Sequence, residues 1–242
     1  MILRRLAEGL KTHDWLTVVV ETFLVIGGVL IALQVDNWNS ARADQSGAIS
    51  ALTRLRSEVD VNAAILTRRL DAIERNIDMR QNGILALQNC DTSEEGEKAL
   101  SEAISRLVGD ITPSFVDNTL LEVSRQDRYL DLLSDDFRNA LSRYSASLTD
   151  ERQQLQINYN LMWDRHVIFE PAVGMDFTSP EKLKSPFIFQ KPMKDLCKDL
   201  NFRRQLLLTE SWHQSATIRM HSFKDRTEQF GNAIDTQIAA LK

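Results

Sequence analysis

From Leu16 to Leu33 the chain runs for 18 residues with a single strongly polar side chain, Glu21. At 1.5 Å per residue, a helix of that length reaches roughly 27 Å, close to the hydrocarbon thickness of a bilayer. A segment of this kind limits the chain to few architectures. The expectation is a transmembrane helix over 15–35, followed by a polar, aromatic exit, Asp36-Asn37-Trp38-Asn39.

The flanks set the direction. Arg4, Arg5 and Lys11 precede the run, whereas the first stretch after it offers Arg42 balanced by Asp36 and Asp44, so the N-terminus belongs on the cytoplasmic side. Trp15 and Trp38 stand at the two boundaries as interfacial anchors, where an indole keeps its N–H wet and its rings in lipid. Ala41-Arg42-Ala43 imitates a signal-peptide cleavage site, but the apolar run is long and that site lies far beyond it. An uncleaved anchor is the expected form. Residues 1–14 place Leu3, Leu6 and Leu10 on one helical stripe, the pattern either of an amphipathic cytoplasmic segment lying on the membrane or of a plain topogenic flank.

Only 9 glycines and 5 prolines occur in 242 residues, too few breakers for an all-β or loop-rich chain. An all-α fold is expected, with the membrane helix continuing into an extracytoplasmic antiparallel helical bundle of long, coiled-coil-like helices over 36–242. Leu52, Leu55, Val59, Ala63, Leu66, Leu70, Ile73 and Ile77 recur in steps of three and four, a heptad seam. Gly47 is the main breaker before it, so the first helix should reach about Gln88 as one rod or with a kink. Thr92 or Ser93 can cap a second helix over Glu94 to Val108, and a third region is expected from Phe115 to Leu133. Ser134 can cap a fourth carrying Phe137, Leu141, Tyr144, Leu148 and Leu155 on one face. Phe202, Leu206, Thr209, His213, Ala216, Met220, Phe223, Thr227, Phe230, Ile234 and Ile238 form the seam of a last helix that returns antiparallel along the first. Pro171, Pro180, Pro186 and Pro192 mark 170–192 as a Pro-rich structured loop.

Cys90 and Cys197 are an even pair in a region expected outside the cytoplasm, where disulfides persist. A bridge would close a loop of about 108 residues and contribute roughly 4 to 5 kcal/mol in the chain-entropy model. Two buried free thiols are the other reading, since spacing alone does not bring Cα atoms together.

The stretch "ETFLVIGGVLIALQVDNWN", residues 21–39, resembles the N-terminal signature of a family of uncharacterised bacterial membrane proteins, in which a Glu-led apolar span ends in Ala-Leu-Gln and Asn-Trp-Asn. "NTLLEVSRQDRYLDLLSDDFRNALSRY", Asn118 to Tyr144, is similar to that family's middle segment, although many members carry Ser-Gly where this chain has Ser124-Arg125. The resemblance implies a bacterial envelope protein with one membrane helix and an outer helical domain. It implies no activity.

The net charge of -5 and a pI near 5.5, with basic residues interleaved among acids, exclude the footprint of a nucleic-acid binder. Glu210 and His213 have the Glu-x-x-His spacing of di-iron bundles, but such a site needs a second copy and two further glutamates, and there is no second copy. A satisfied seam histidine is the expected reading. His13, His166 and His221 add no ligand spacing, and no nucleophile elbow or phosphate-cradling glycine loop occurs. Asp135-Asp136 and Asp150-Glu151 read as solvated or first-turn acids. No catalysis, metal or cofactor is expected.

Glu21 shares a helical stripe with Val25, Gly28 and Ala32, and Gly28-x-x-x-Ala32 is the small-residue spacing that lets a second helix approach. Its carboxyl is protonated, paired with a partner's donor, or hydrated near the cytoplasmic interface. The expected role is an inner-membrane-anchored scaffold or interaction module with a periplasmic domain, touching lipid and either itself or another membrane protein through the span. The alternatives are an ion- or proton-coupled subunit that uses Glu21 and a periplasmic ligand sensor.

Overall fold

A computed structural model describes residues 15–108, 113–169, 172–175, 178 and 187–242. The amphipathic segment 1–14, with His13, the side chain of His166, and Pro171, Pro180 and Pro186 lie outside the described residues or side chains. Among the described residues the fold is all-α apart from one short hairpin.

Helix α1 spans Trp15–Arg75 in a single unbroken piece of 61 residues, roughly 90 Å long at 1.5 Å per residue. It passes through Gly47 without interruption; Tyr129 packs over that glycine. The break comes later, at Asn76, and α2 resumes over Ile77–Gln88. Of the two forms expected for the helix to Gln88, one rod or one with a kink, the structure has the second: Asn76 stays in the right-handed helical region between α1 and α2. In the C-terminal half of α1, Leu52, Leu55, Val59, Leu66, Leu70 and Ile73 are buried, joined by Ala48 and Ala51, while Ala63 and, at the start of α2, Ile77 are half-buried.

Helix α2 turns back into α3, Glu94–Val108, whose N-cap is Ser93: its hydroxyl accepts the Gly96 N–H at 3.1 Å. The two helices approach so closely at Gly83 that an added Cβ would collide with Ala103 and the Ala99 carbonyl. Gly96 is confined likewise, where an added Cβ would collide with the Asp91 carbonyl, so close packing demands both glycines.

The expected helix from Phe115 to Leu133 is corrected by the structure. Residues 113–117 are not helical, α4 covers Asn118–Arg125, and α5 is the single turn Asp127–Leu130 after an extended Gln126. Two buried polar side chains of α1 explain this. Asn62 donates to the Val116 carbonyl at 2.8 Å and accepts the Val116 N–H at 2.9 Å, occupying the groups a helix would have used. One turn earlier, the Glu58 carboxylate accepts the N–H groups of Thr119 and Leu120 at 2.7 and 3.0 Å, placing a negative charge on the positive end of α4.

Helix α6, Asp135–Phe169, is capped by Ser134, whose hydroxyl accepts the Phe137 N–H and donates to Gln237. The chain then forms the hairpin β1, Val173–Met175, with β2, Phe187–Phe189, in the antiparallel register Val173↔Phe189. After the turn α7, Met193–Leu196, the last helix α8 runs over Leu200–Leu241, with Asp199 as its N-cap. The pairs Arg80–Glu210, Arg56–Asp235 and Gln45–Leu241 put α8 antiparallel to α1 and α2.

Apolar side chains bury in two separate clusters. The larger joins α1, α4, α6 and α8. Its centre is aromatic: Tyr144 stacks on Phe230 at 4.4 Å, and Phe115 meets Phe223 edge-on at 5.3 Å. The second cluster lies among α2, α3, the hairpin, α7 and the start of α8, including Leu87, Ile104, Phe187, Met193 and Leu206.

Candidate functional site

The apolar half of α1 is the feature without a structural explanation inside the molecule. It is the one helix among the described residues long and apolar enough to cross a membrane, and none of its apolar window is buried. Phe23, Leu24 and Val25 are each about 70% exposed, so this surface contributes nothing to the core. Trp15 and Trp38, both exposed, are separated by roughly 35 Å along the helix, somewhat more than a hydrocarbon core. The Arg42 guanidinium sits over the Trp38 ring at 5.8 Å.

Glu21, Gly28 and Ala32 are all exposed, and a Cβ added at Gly27 or Gly28 would meet nothing. Because α1 is unbroken, the direction of this stripe is tied to that of the packed domain. At 100° per residue, the stripe points roughly 160° away from the face that buries Leu52, Leu55, Glu58, Asn62 and Leu66. The domain hangs on one side of the helix and the small-residue stripe looks out of the other.

Cys90 and Cys197 are joined, with their Cα atoms 5.3 Å apart across 107 positions of sequence. Cys90 follows the Asn89 C-cap of α2, and the turn there is a Schellman motif: the Asp91 N–H donates to the Ala86 carbonyl at 2.9 Å and the Cys90 N–H to the Leu87 carbonyl at 3.3 Å. That places Cys90 at the position where glycine is the usual residue, with φ at 53°. Cys197 closes α7 and is nearly buried.

Between the two apolar clusters lies a polar layer absent from the expected continuous seam. Arg80 donates to Glu210 at 3.0 Å with both side chains almost wholly buried, and Gln214 donates to the other Glu210 oxygen. The Glu-x-x-His pair is thus divided: its carboxylate is committed to a guanidinium. His213 is 4% exposed, and its ring nitrogens make no well-aligned hydrogen bond among the described residues, although the Leu107 backbone lies close enough to interact with the ring. Burial, then the positive charges of Arg80 and Arg69, push its pKa down to about 3; the Leu107 backbone opposes this weakly. A second correction concerns Asp150-Glu151: Asp150 is exposed, but Glu151 is buried and accepts from Arg219 of α8 at 3.0 Å. Asp135 and Asp136 are exposed first-turn acids of α6.

A neutral, buried His213 makes a pH-dependent contribution whose sign follows from linkage. In the unfolded chain it binds a proton below about pH 6.5, in the folded chain only near 3, so the unfolded state holds the extra proton between those values and stability is lost as pH is lowered through them. His213→Leu should flatten the stability profile across that window by up to about 1.4 kcal/mol per pH unit. Urea denaturation at pH 7, 6, 5 and 4 reads this directly; parallel profiles for both proteins would show that the ring is not held neutral.

These elements define an all-α protein in which a packed helical domain shares one continuous helix with a fully exposed apolar segment. No family model, curated protein or solved structure matches the chain.

Proposed function

We propose that the chain is a membrane-anchored helical interaction module, a non-catalytic subunit of a bacterial inner-membrane complex, with its N-terminus cytoplasmic and its helical bundle in the periplasm. The observation that carries this reading is the exposed apolar half of α1, in one piece with the half of the same helix that packs into the domain. Water would not tolerate that much aligned apolar surface on a free monomer, and a bilayer removes the cost. The basic residues before the span and the Cys90–Cys197 bridge after it both fit the stated orientation. The resemblance of residues 21–39 and 118–144 to a bacterial envelope family agrees with the compartment.

Within the membrane, the contact surface is the stripe of Glu21, Gly28 and Ala32. Its position opposite the packed domain lets a neighbouring helix reach it without displacing that domain. Ser46, Ser50, Thr53 and Ser57 extend the same exposed line beyond the membrane, so small side chains border the approach on both sides of the interface. The glycine allows close backbone packing, and the carboxyl finds a donor there rather than acyl chains.

Gly28→Leu and Glu21→Ala are expected to convert the parent's crosslinked or co-purifying assembly into single copies in mild detergent, while the folded outer domain keeps its helical signal. The measurement is size analysis with crosslinking on gently solubilised membranes. Assembly identical to the parent in both variants would remove the intramembrane contact from this proposal and leave only the anchor.

A further inference from the structure

The disulfide belongs to only one of the two apolar clusters. Cys197 is a member of the distal cluster, Cys90 packs against it, and neither touches the larger one. The boundary between the clusters is marked on both sides of the antiparallel helix pairing, on α1–α2 and on α8. On one side α1 ends at Arg75 and Asn76 interrupts the helix before Arg80; on the other, Thr209, Glu210 and His213 separate Leu206 of the distal cluster from Ala216 of the larger. A polar layer transmits packing less cooperatively than continuous apolar contact, so the two clusters are suited to open separately.

The backbone at Cys90 adds a second asymmetry. A side chain in the left-handed region is disfavoured, and here it is held at the helix terminus by two turn hydrogen bonds and by the covalent link to Cys197. We infer that the Cys90–Cys197 bridge is a redox latch on the distal lobe alone, comprising α2, α3, the β1–β2 hairpin, α7 and the start of α8. Reduction by an external dithiol loosens that lobe and leaves the rod-side cluster packed. In the exchange, a reductant thiolate attacks one of the two sulfurs and its second thiol resolves the mixed disulfide. Cys90 and Cys197 take up two electrons and two protons, and the dithiol leaves as a disulfide.

The test is hydrogen exchange read by mass spectrometry on the full chain in detergent micelles or nanodiscs, oxidised, after dithiothreitol, and after reoxidation. Reduction should accelerate exchange by ten-fold or more in peptides covering Ile77–Val108 and Met193–Leu206. Peptides covering Ala48–Ile73 and Met220–Ile234 should be unchanged, and reoxidation should restore the original pattern. Equal acceleration in both sets, or no change in either, overturns the latch. The backbone component has its own readout. With Cys197→Ala in both, Cys90→Gly should exchange about five-fold more slowly through α2 than Cys90→Ala, because glycine alone accepts the left-handed turn freely. Equal rates would remove the strained turn from the mechanism.

Discussion

Arg80→Met is expected to destabilise the folded domain by about 3 to 5 kcal/mol, measured by urea denaturation at neutral pH, because it leaves the Glu210 carboxylate buried against Gln214 alone. The magnitude comes from the stranded charge more than from the lost contact: Arg80 and Glu210 have side chains only 4% and 12% exposed, too little for water to replace the partner. The double variant Arg80→Met/Glu210→Leu removes both charges and should recover most of the loss, since an apolar pair of similar volume avoids desolvation altogether. The effect should centre on the join between α2 and α8. A single-variant cost below about 1 kcal/mol, the level of an exposed pair, would show that this layer is open to water.

Phe223→Ala should cost a comparable amount, about 3 to 5 kcal/mol, by leaving a cavity in the larger cluster. Phe223 is fully buried, meets Phe115 edge-on at 5.3 Å and stacks against Tyr144 at 6.1 Å. The ring therefore ties the non-helical segment before α4 to α6 and α8 at once, beside the hydrogen bond that Arg152 of α6 donates to the Phe115 carbonyl at 2.8 Å. Phe223→Leu should cost clearly less than the alanine variant, because it refills part of the volume. Equal losses for the two would mean that the aromatic contacts, rather than the volume, hold the site. A loss near zero for alanine would place the residue outside the core.

Substitutions in the two clusters should also differ in where they act. Phe223→Ala weakens the rod-side cluster and leaves the disulfide-linked lobe its own contacts, whereas reduction does the reverse. Arg80 and Glu210 lie between, which is why their variant is the one expected to disturb both.

Much of the helical organisation was legible because it is local. The outer seam residues Leu52, Leu55, Val59, Leu66, Leu70 and Ile73 are all buried, and Ser93 and Ser134 cap the helices that follow them. Spacing and capping act within a few residues of sequence, so they can be read one stretch at a time. The exposed apolar run needs even less, since its length and composition depend on nothing else in the chain.

Glu58, Asn62 and Glu151 were not legible. On α1, Glu58 and Asn62 look like ordinary polar residues beside a seam, and only the arrival of the 115–120 segment gives them N–H and C=O groups to bind. Glu151 reads as the second of two adjacent acids until Arg219, 68 residues away, packs against it. His213 fits the apolar period at its own position, and the period carries no information about the guanidiniums of Arg80 and Arg69 that approach it from other helices.

By itself, the sequence determined that this chain is helical and that one of its helices exposes an apolar length matched to a bilayer, because both follow from periodicity and composition over contiguous residues. Only the tertiary structure decided that the packed domain has two cores among the described residues instead of one seam, where the first helix breaks, and which polar side chains are buried. Those outcomes depend on pairs of groups distant in sequence, and the cost of burying a charge or an N–H is set by the partner that folding brings to it.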